Sequence, residues 1–161
     1  MAKHEKLMFM DSDISPSSDV DWFKKVYDAL DKGLFTQGFS TITYMNKDGQ
    51  ADVKKISYTS SLVKKGRVSG VPGGVYCICK STLNAIGGFN FLPLGGGDDL
   101  FWCEFLGKDN RLVLLVNKRM SVIDTMTLLM KTTGKKRVAD VPVDICHFYH
   151  GERKMRSYGQ R

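Results

Sequence analysis

Four apolar residues, Leu7-Met8-Phe9-Met10, run without a break into Asp11-Ser12-Asp13. An apolar run of this length, stopped by turn-forming residues, predicts a buried strand. Ser15 to Asp19 follow as turn and N-cap residues, with Pro16 placed near a helix's first turn. Trp22, Phe23, Val26, Tyr27 and Leu30 then recur on one helical face. Lys24, Lys25, Asp28 and Asp31 take the other side, and Gly33 stands where a C-cap is expected. Leu34 to Tyr44 reads as a second strand, with Phe39, Thr41 and Thr43 opposite Ile42 and Tyr44. Asn46-Lys47-Asp48-Gly49 turns the chain. Residues 50–69 are polar and basic, which suggests a loop region with one short helix near Ser60–Lys65.

Gly70-Val71-Pro72-Gly73-Gly74 leads into a predicted strand, Val75–Cys79. Glycines at a strand entrance let another backbone or a ligand come close. Ser81–Ile86 reads as a short helix closed by Gly87-Gly88, and Phe89 anchors a loop into Gly95-Gly96-Gly97-Asp98-Asp99. Leu100, Phe101, Phe105 and Leu106 continue as a helix that ends at Gly107, and Arg111–Val116 is an apolar strand. Val122–Met130 suits a short helix or a strand, Lys135–Val138 a loop, and Val141–Phe148 a strand with His147 and His150 near its end. There is no internal repeat and no low-complexity segment. This alternation predicts an α/β fold, a mixed sheet flanked by helices.

Composition narrows the class. The 161 residues, 42% hydrophobic and 25% charged, are ordinary for one soluble globular domain spanning 1–161, with 146–161 as a basic tail. No stretch is long and apolar enough to span a bilayer, and the first six residues lack the apolar core of a signal peptide. The cysteines, Cys77, Cys79, Cys103 and Cys146, show no zinc spacing. Buried reduced thiols are expected, which suits a reducing, cytoplasmic setting. The net charge is +7, with basic runs at 64–67, 135–137 and 153–156. Such runs attract polyanions, whether nucleic acid, acidic membrane or a nucleotide diphosphate, or else they are solvated surface.

Candidate chemistry falls in three places. In open α/β sheets ligands bind at the C-terminal lip of the strands, where Asp11 and Asp13 lie. Two residues apart on an extended chain, they point the same way and can reach one hard cation. The alternative is that they only cap a turn. Gly95-Gly96-Gly97 before Asp98-Asp99 leaves an open pocket floor with carboxylates at its edge. The helix dipole alone accounts for one of these acids and does not account for the glycines. The third place is His147-x-x-His150.

Taken in series, these stretches resemble a known family. Phe9-Met10-Asp11-Ser12-Asp13-Ile14 resembles the Asp-x-Asp motif of GT-A-fold glycosyltransferases. Pro72-Gly73-Gly74-Val75 to Lys80, Ile86-Gly87-Gly88-Phe89 and Gly95 to Trp102 resemble the block closing the acceptor side, most like the β-1,4-galactosyltransferase type. His147-x-x-His150-Gly151 resembles the late metal-ligand segment. The resemblance implies a partial GT-A fold, the nucleotide-diphospho-sugar transferase fold, without its N-terminal nucleotide-binding βαβ half. Two positions depart from the pattern: Gly97 stands where the family often has Glu, and Leu94 where it has an aromatic.

The resemblance also assigns roles. Asp11, Asp13, His147 and His150 would hold Mn²⁺, or Mg²⁺, against the donor diphosphate, and imidazole beside carboxylate favours Mn²⁺. Asp98 would be the general base and Asp99 would hold the acceptor. Gly73, Gly74, Gly96 and Gly97 would let backbone approach the donor, and Arg153, Lys154 and Arg156 would neutralise the leaving diphosphate. The implied activity is inverting transfer from a nucleotide-sugar, such as a UDP-sugar, to a glycan or other hydroxyl acceptor. A second chain supplying the nucleotide-binding half, or a homo-oligomer, would complete it. Two further readings stand beside this one. One is a non-catalytic remnant or subunit that binds sugar or a partner protein. The other is a small basic nucleic-acid-binding protein, for which no recognition helix, zinc finger or aromatic-basic RNP run is present.

Overall fold

The computed structural model of the chain describes residues 3–18, 21–88 and 118–151. The apolar run forms β1, Lys6–Met10, which pairs antiparallel with β6, Val75–Cys79. On the far side of β6 lies β3, Gly33–Gln37, antiparallel to it, and then β7, Lys136–Val138, parallel to β3. A second sheet places β2, Ile14–Pro16, antiparallel to β8, Asp144–His147; β8 is parallel to β4, Thr41–Met45, which pairs antiparallel with β5, Ala51–Ile56. The class is mixed α/β, and in place of the single mixed sheet expected from the sequence the described residues form two four-stranded mixed sheets, ordered β1-β6-β3-β7 and β2-β8-β4-β5.

The division falls inside the stretch that reads as one strand, Leu34–Tyr44. The chain leaves the first sheet at Gly38, where a Cβ would lie 2.7 Å from Val75 Cγ1, so only glycine lets the backbone pass β6 this closely. Trp22 Nε1 donates to Gly38 O at 2.5 Å. Ser40 N–H then bonds Val143 O at 2.7 Å and starts the second sheet. Phe39, fully buried, sits at the crossing.

Helix α1, Trp22–Lys32, opens with the Asp21 carboxylate accepting from Lys24 N–H. Its buried stripe is Trp22, Val26, Ala29 and Leu30, whereas Phe23 and Tyr27 are exposed. Those two lie one step round the helix from the i, i+4 row that meets the sheet. Gly33 is extended rather than left-handed and begins β3; a Cβ there would meet Ala139 N at 2.7 Å. It is therefore a close-packing glycine.

Residues 50–69, expected as loop, contain β5 and α2, Tyr58–Lys65. Helix α2 is capped by Ser57, whose hydroxyl accepts from Ser60 N–H, and by left-handed Gly66. Its buried face is Thr59, Ser60 and Ser61, which leaves no apolar period to read. Helix α3, Lys80–Ala85, and helix α4, Lys118–Thr133, follow as helices. Lys136–Val138 is a short strand where a loop was expected, and the strand expected over Val141–Phe148 shortens to β8.

Two apolar clusters flank the first sheet. One gathers α1 with Ile14, Phe39, Ile42, Val75, Val141 and Ile145, and so ties the first sheet to the second. The other packs Leu34, Phe35, Ile78, Ile86, Met126 and Val138 on the opposite face. Each fully buried aliphatic side chain contributes roughly 1.5–3 kcal/mol. Cys77, Cys79 and Cys146 are free thiols, and burial pushes the Cys77 and Cys79 thiols up, so they stay protonated and inert. Among the described residues no helix is long and apolar enough to cross a membrane.

Candidate functional site

β1 ends where Asp11 N–H turns aside to Gly74 O, at 3.0 Å. The chain bends through Asp11-Ser12-Asp13 and enters β2 at Ile14, which lies opposite His147 of β8. Phe148 N–H donates to Asp13 O at 2.8 Å, extending the ladder by one more bond. Backbone pairing thus fixes Asp13 beside the end of β8 before any side chain is considered. On the other flank β4 holds β8 in parallel register, with Tyr44 level with His147 and their ring centroids 4.9 Å apart.

The side chains converge there. Asp13 Oδ2 is 2.5 Å from His150 Nε2 and 3.5 Å from His147 Nε2, and the imidazole centroids are 5.1 Å apart. One ligand atom from each of the three residues lies within 4.8 Å of the others. The Asp13 and His147 side chains are only 22% and 13% exposed, and that of His150 39%, so the group is sheltered on the sheet side and open on one. His147 Nδ1 lies 3.1 Å from Phe148 O. With the Nδ1 proton donated there, Nε2 keeps its lone pair, which is the form that ligates a metal.

One carboxylate and two imidazoles on a partly sheltered lip can do two things. With both rings neutral they offer three donors to a divalent transition-metal ion. With a ring protonated they form an ion pair across the β2–β8 seam. The donor types suit a metal, and the 2.5 Å contact between Asp13 Oδ2 and His150 Nε2 is that of a direct hydrogen bond, which a shared ion would open.

Comparison with protein-family models, with curated proteins and with solved structures finds no match to this chain. What the site can do follows from its own atoms.

Of the residues expected to hold a metal, the structure brings together Asp13, His147 and His150. Asp11 is exposed and stands outside this group, because the strand ends at Met10 and the turn separates the two carboxylates. Gly73 and Gly74 flank the turn. Gly74 has φ of 102°, accepts from Asp11 N–H, and a Cβ there would lie 3.2 Å from Ile14 Cδ1. Asp98, Asp99, Gly96, Gly97, Arg153, Lys154 and Arg156 lie outside the described residues.

Two features escape a reading of the sequence. Gln37, fully buried, directs Nε2 at the carbonyls of Val71 (3.0 Å), Pro72 (2.8 Å) and Gly73 (3.1 Å), while its Oε1 accepts from Thr59 N–H. It fastens the loop that delivers Gly74 to the Asp turn. Its only signal is an amide ending an otherwise buried strand. The second feature is the row formed by Tyr44 with Lys55 beside His147, with Lys55 Nζ 5.7 Å from the Tyr44 centroid. It is legible only once β5 is known to be a strand.

Proposed function

We propose that this chain is the metal- and acceptor-binding part of an inverting glycosyltransferase that uses a nucleotide-sugar donor. The observation that carries the reading is the meeting of Asp13 with His147 and His150. The Asp-x-Asp turn and the His-x-x-His segment, each weak as a motif, stand 134 residues apart in the chain and meet at one point.

In this reading Asp13, His147 and His150 would hold Mn²⁺. A divalent ion bound there supplies positive charge to the departing diphosphate. Asp98 takes the proton from the acceptor hydroxyl, and Asp99 orients that acceptor. The freed oxygen attacks the anomeric carbon from the face opposite the leaving group, so the configuration inverts. A base must lie within hydrogen-bond reach of the proton that it takes.

A second reading draws on the donor set itself. Two histidines and one carboxylate with an open side also suit Fe²⁺ in oxygen chemistry, or Zn²⁺ in hydrolysis. Calorimetric titration separates them. The glycosyltransferase reading expects Mn²⁺ binding, UDP binding that requires Mn²⁺, and a loss of Mn²⁺ affinity of about 100-fold or more in Asp13→Ala and His150→Ala. That loss is at or beyond what removal of a mere supporting partner costs. Tight Fe²⁺ or Zn²⁺ binding with no UDP binding under any metal favours the second reading. Absence of any metal binding removes both.

A further inference from the structure

We propose that Lys55, set by Tyr44, forms an anion subsite beside the Asp13–His147–His150 group and takes a phosphate oxygen of the diphosphate held there. This rests on the reading of that group as a metal centre for a diphosphate. Lys55 lies outside every stretch that resembles the glycosyltransferase family, so the assignment comes from the fold alone.

Register supplies the first argument. β8, β4 and β5 are neighbours, with Tyr44 paired to His147 on one side and to Val53 on the other. Lys55 is two residues beyond Val53 and pairs with Ile42. Side chains two apart on a strand share a face, and directly paired residues share it too. His147, Tyr44 and Lys55 therefore emerge on one face of the second sheet, in a row running away from Asp13. The ring contacts agree: 4.9 Å between the His147 and Tyr44 centroids, and 5.7 Å from Lys55 Nζ to the Tyr44 centroid.

Charge supplies the second. Lys54 pairs with Asp144 at 2.7 Å, Lys64 with Asp140 at 3.2 Å, Lys24 with Asp28 at 2.7 Å and Lys6 with Asp31 at 2.5 Å. Lys55 is half-buried, and among the described residues its ammonium has the Tyr44 ring and no carboxylate. A ring face attracts a cation more weakly than a counter-ion does, so an ammonium held on a ring without a carboxylate is open to an anion. The ring also fixes where the charge sits, one aromatic width from His147. In the proposed arrangement a diphosphate bridges the two: oxygens at one end would belong to the metal centre, and those at the other would accept from Lys55 in a charge-assisted bond.

The test uses the full chain and inorganic pyrophosphate as the probe, titrated into protein saturated with Mn²⁺. Lys55→Met is expected to bind Mn²⁺ as the wild type does and pyrophosphate about tenfold more weakly, the loss of one hydrogen bond to a charged group. Lys55→Arg is expected to regain most of that affinity, and Lys55→Gln to behave as Lys55→Met. UDP should show the same ordering, while inorganic phosphate, too short to reach both ends, should bind weakly and equally in all four proteins. Unchanged pyrophosphate affinity in both Lys55→Met and Lys55→Gln overturns the subsite and leaves the metal centre standing. Wild-type protein that binds Mn²⁺ but not pyrophosphate also overturns it. Failure of the wild type to bind Mn²⁺ overturns the centre and the subsite together.

Discussion

Gln37 holds three consecutive backbone carbonyls with one amide nitrogen. That nitrogen carries two protons, so the bonds are shared among the acceptors, and Val71 O also accepts from Tyr58 N–H at 3.2 Å. Replacing it with an apolar side chain strips the amide donor from this run of carbonyls and the Oε1 acceptor from the buried Thr59 N–H, which costs about 1–3 kcal/mol for each group so stranded. Gln37→Leu is therefore expected to lower the stability by about 2 kcal/mol, seen as a lower urea midpoint at unchanged slope. A midpoint equal to that of the wild type would mean the loop holds itself. At this scale the sequence was most informative where chemistry is unusual in itself, as in His147-x-x-His150 and Asp13. It was silent on Gln37, because a buried amide and an exposed one look the same until the three carbonyls arrive from another part of the chain.

Strands and helices were legible in proportion to their apolar pattern. β6 and α1 bury a run or a stripe where the pattern puts them, whereas β1 stands in its expected place but is an edge strand among the described residues, with Phe9 and Met10 exposed, not the buried strand its apolar run predicts. β5 and α2 show no such pattern. β5 is largely exposed, with a register irregularity opposite Tyr44/Met45, and α2 buries hydroxyls. Ser60 meets Ser40 at 2.8 Å and also Asp140, while Ser61 donates to Arg67 O at 2.8 Å, so hydrogen bonding replaces the apolar face that a pattern search needs.

The same second sheet makes a prediction about pH. The Lys54 ammonium at 2.7 Å and then the Thr41 hydroxyl at 2.5 Å bond the Asp144 carboxylate at the start of β8 and hold its pKa below the usual carboxylate range. A carboxyl depressed on folding contributes stability that is fully present above its unfolded pKa of about 4 and is lost as pH falls through the lower folded value. Asp144→Asn should therefore lose stability at pH 7 and little further at pH 3, narrowing the gap to the wild type in acid. Both side chains are about half exposed, so the difference at neutral pH should stay under about 1 kcal/mol. Urea unfolding at the two pH values checks this. A gap that widens in acid would reverse the assigned sign.

At the scale of the whole molecule, the candidate centre joins the first turn of the chain to its last described strand. Asp13 comes from the β1–β2 turn, His147 from the end of β8 and His150 from just beyond it. A pattern search places each of these near an element's end, but only the β2–β8 pairing brings them within reach, and that pairing links Ile14 to His147, 133 residues apart. An ion held at this point engages the folded chain more tightly than the unfolded one, in which Asp13 is remote from the His147–His150 pair. At a free concentration 100 times its dissociation constant, such an ion stabilises by about 2.7 kcal/mol. For a chain of this length that corresponds to a rise in Tm of roughly 5–10 °C. Mn²⁺ is thus expected to raise the melting temperature of the wild type, EDTA to reverse the rise, and Asp13→Ala to abolish it. Lys55→Met, which leaves the three ligands in place, should keep the full shift with Mn²⁺ alone and lose only the further increment that pyrophosphate adds. A wild-type melting curve indifferent to Mn²⁺ would leave Asp13, His147 and His150 as an ion-pair seam that binds β2 to β8, a role in which His150→Ala should cost stability equally with and without metal.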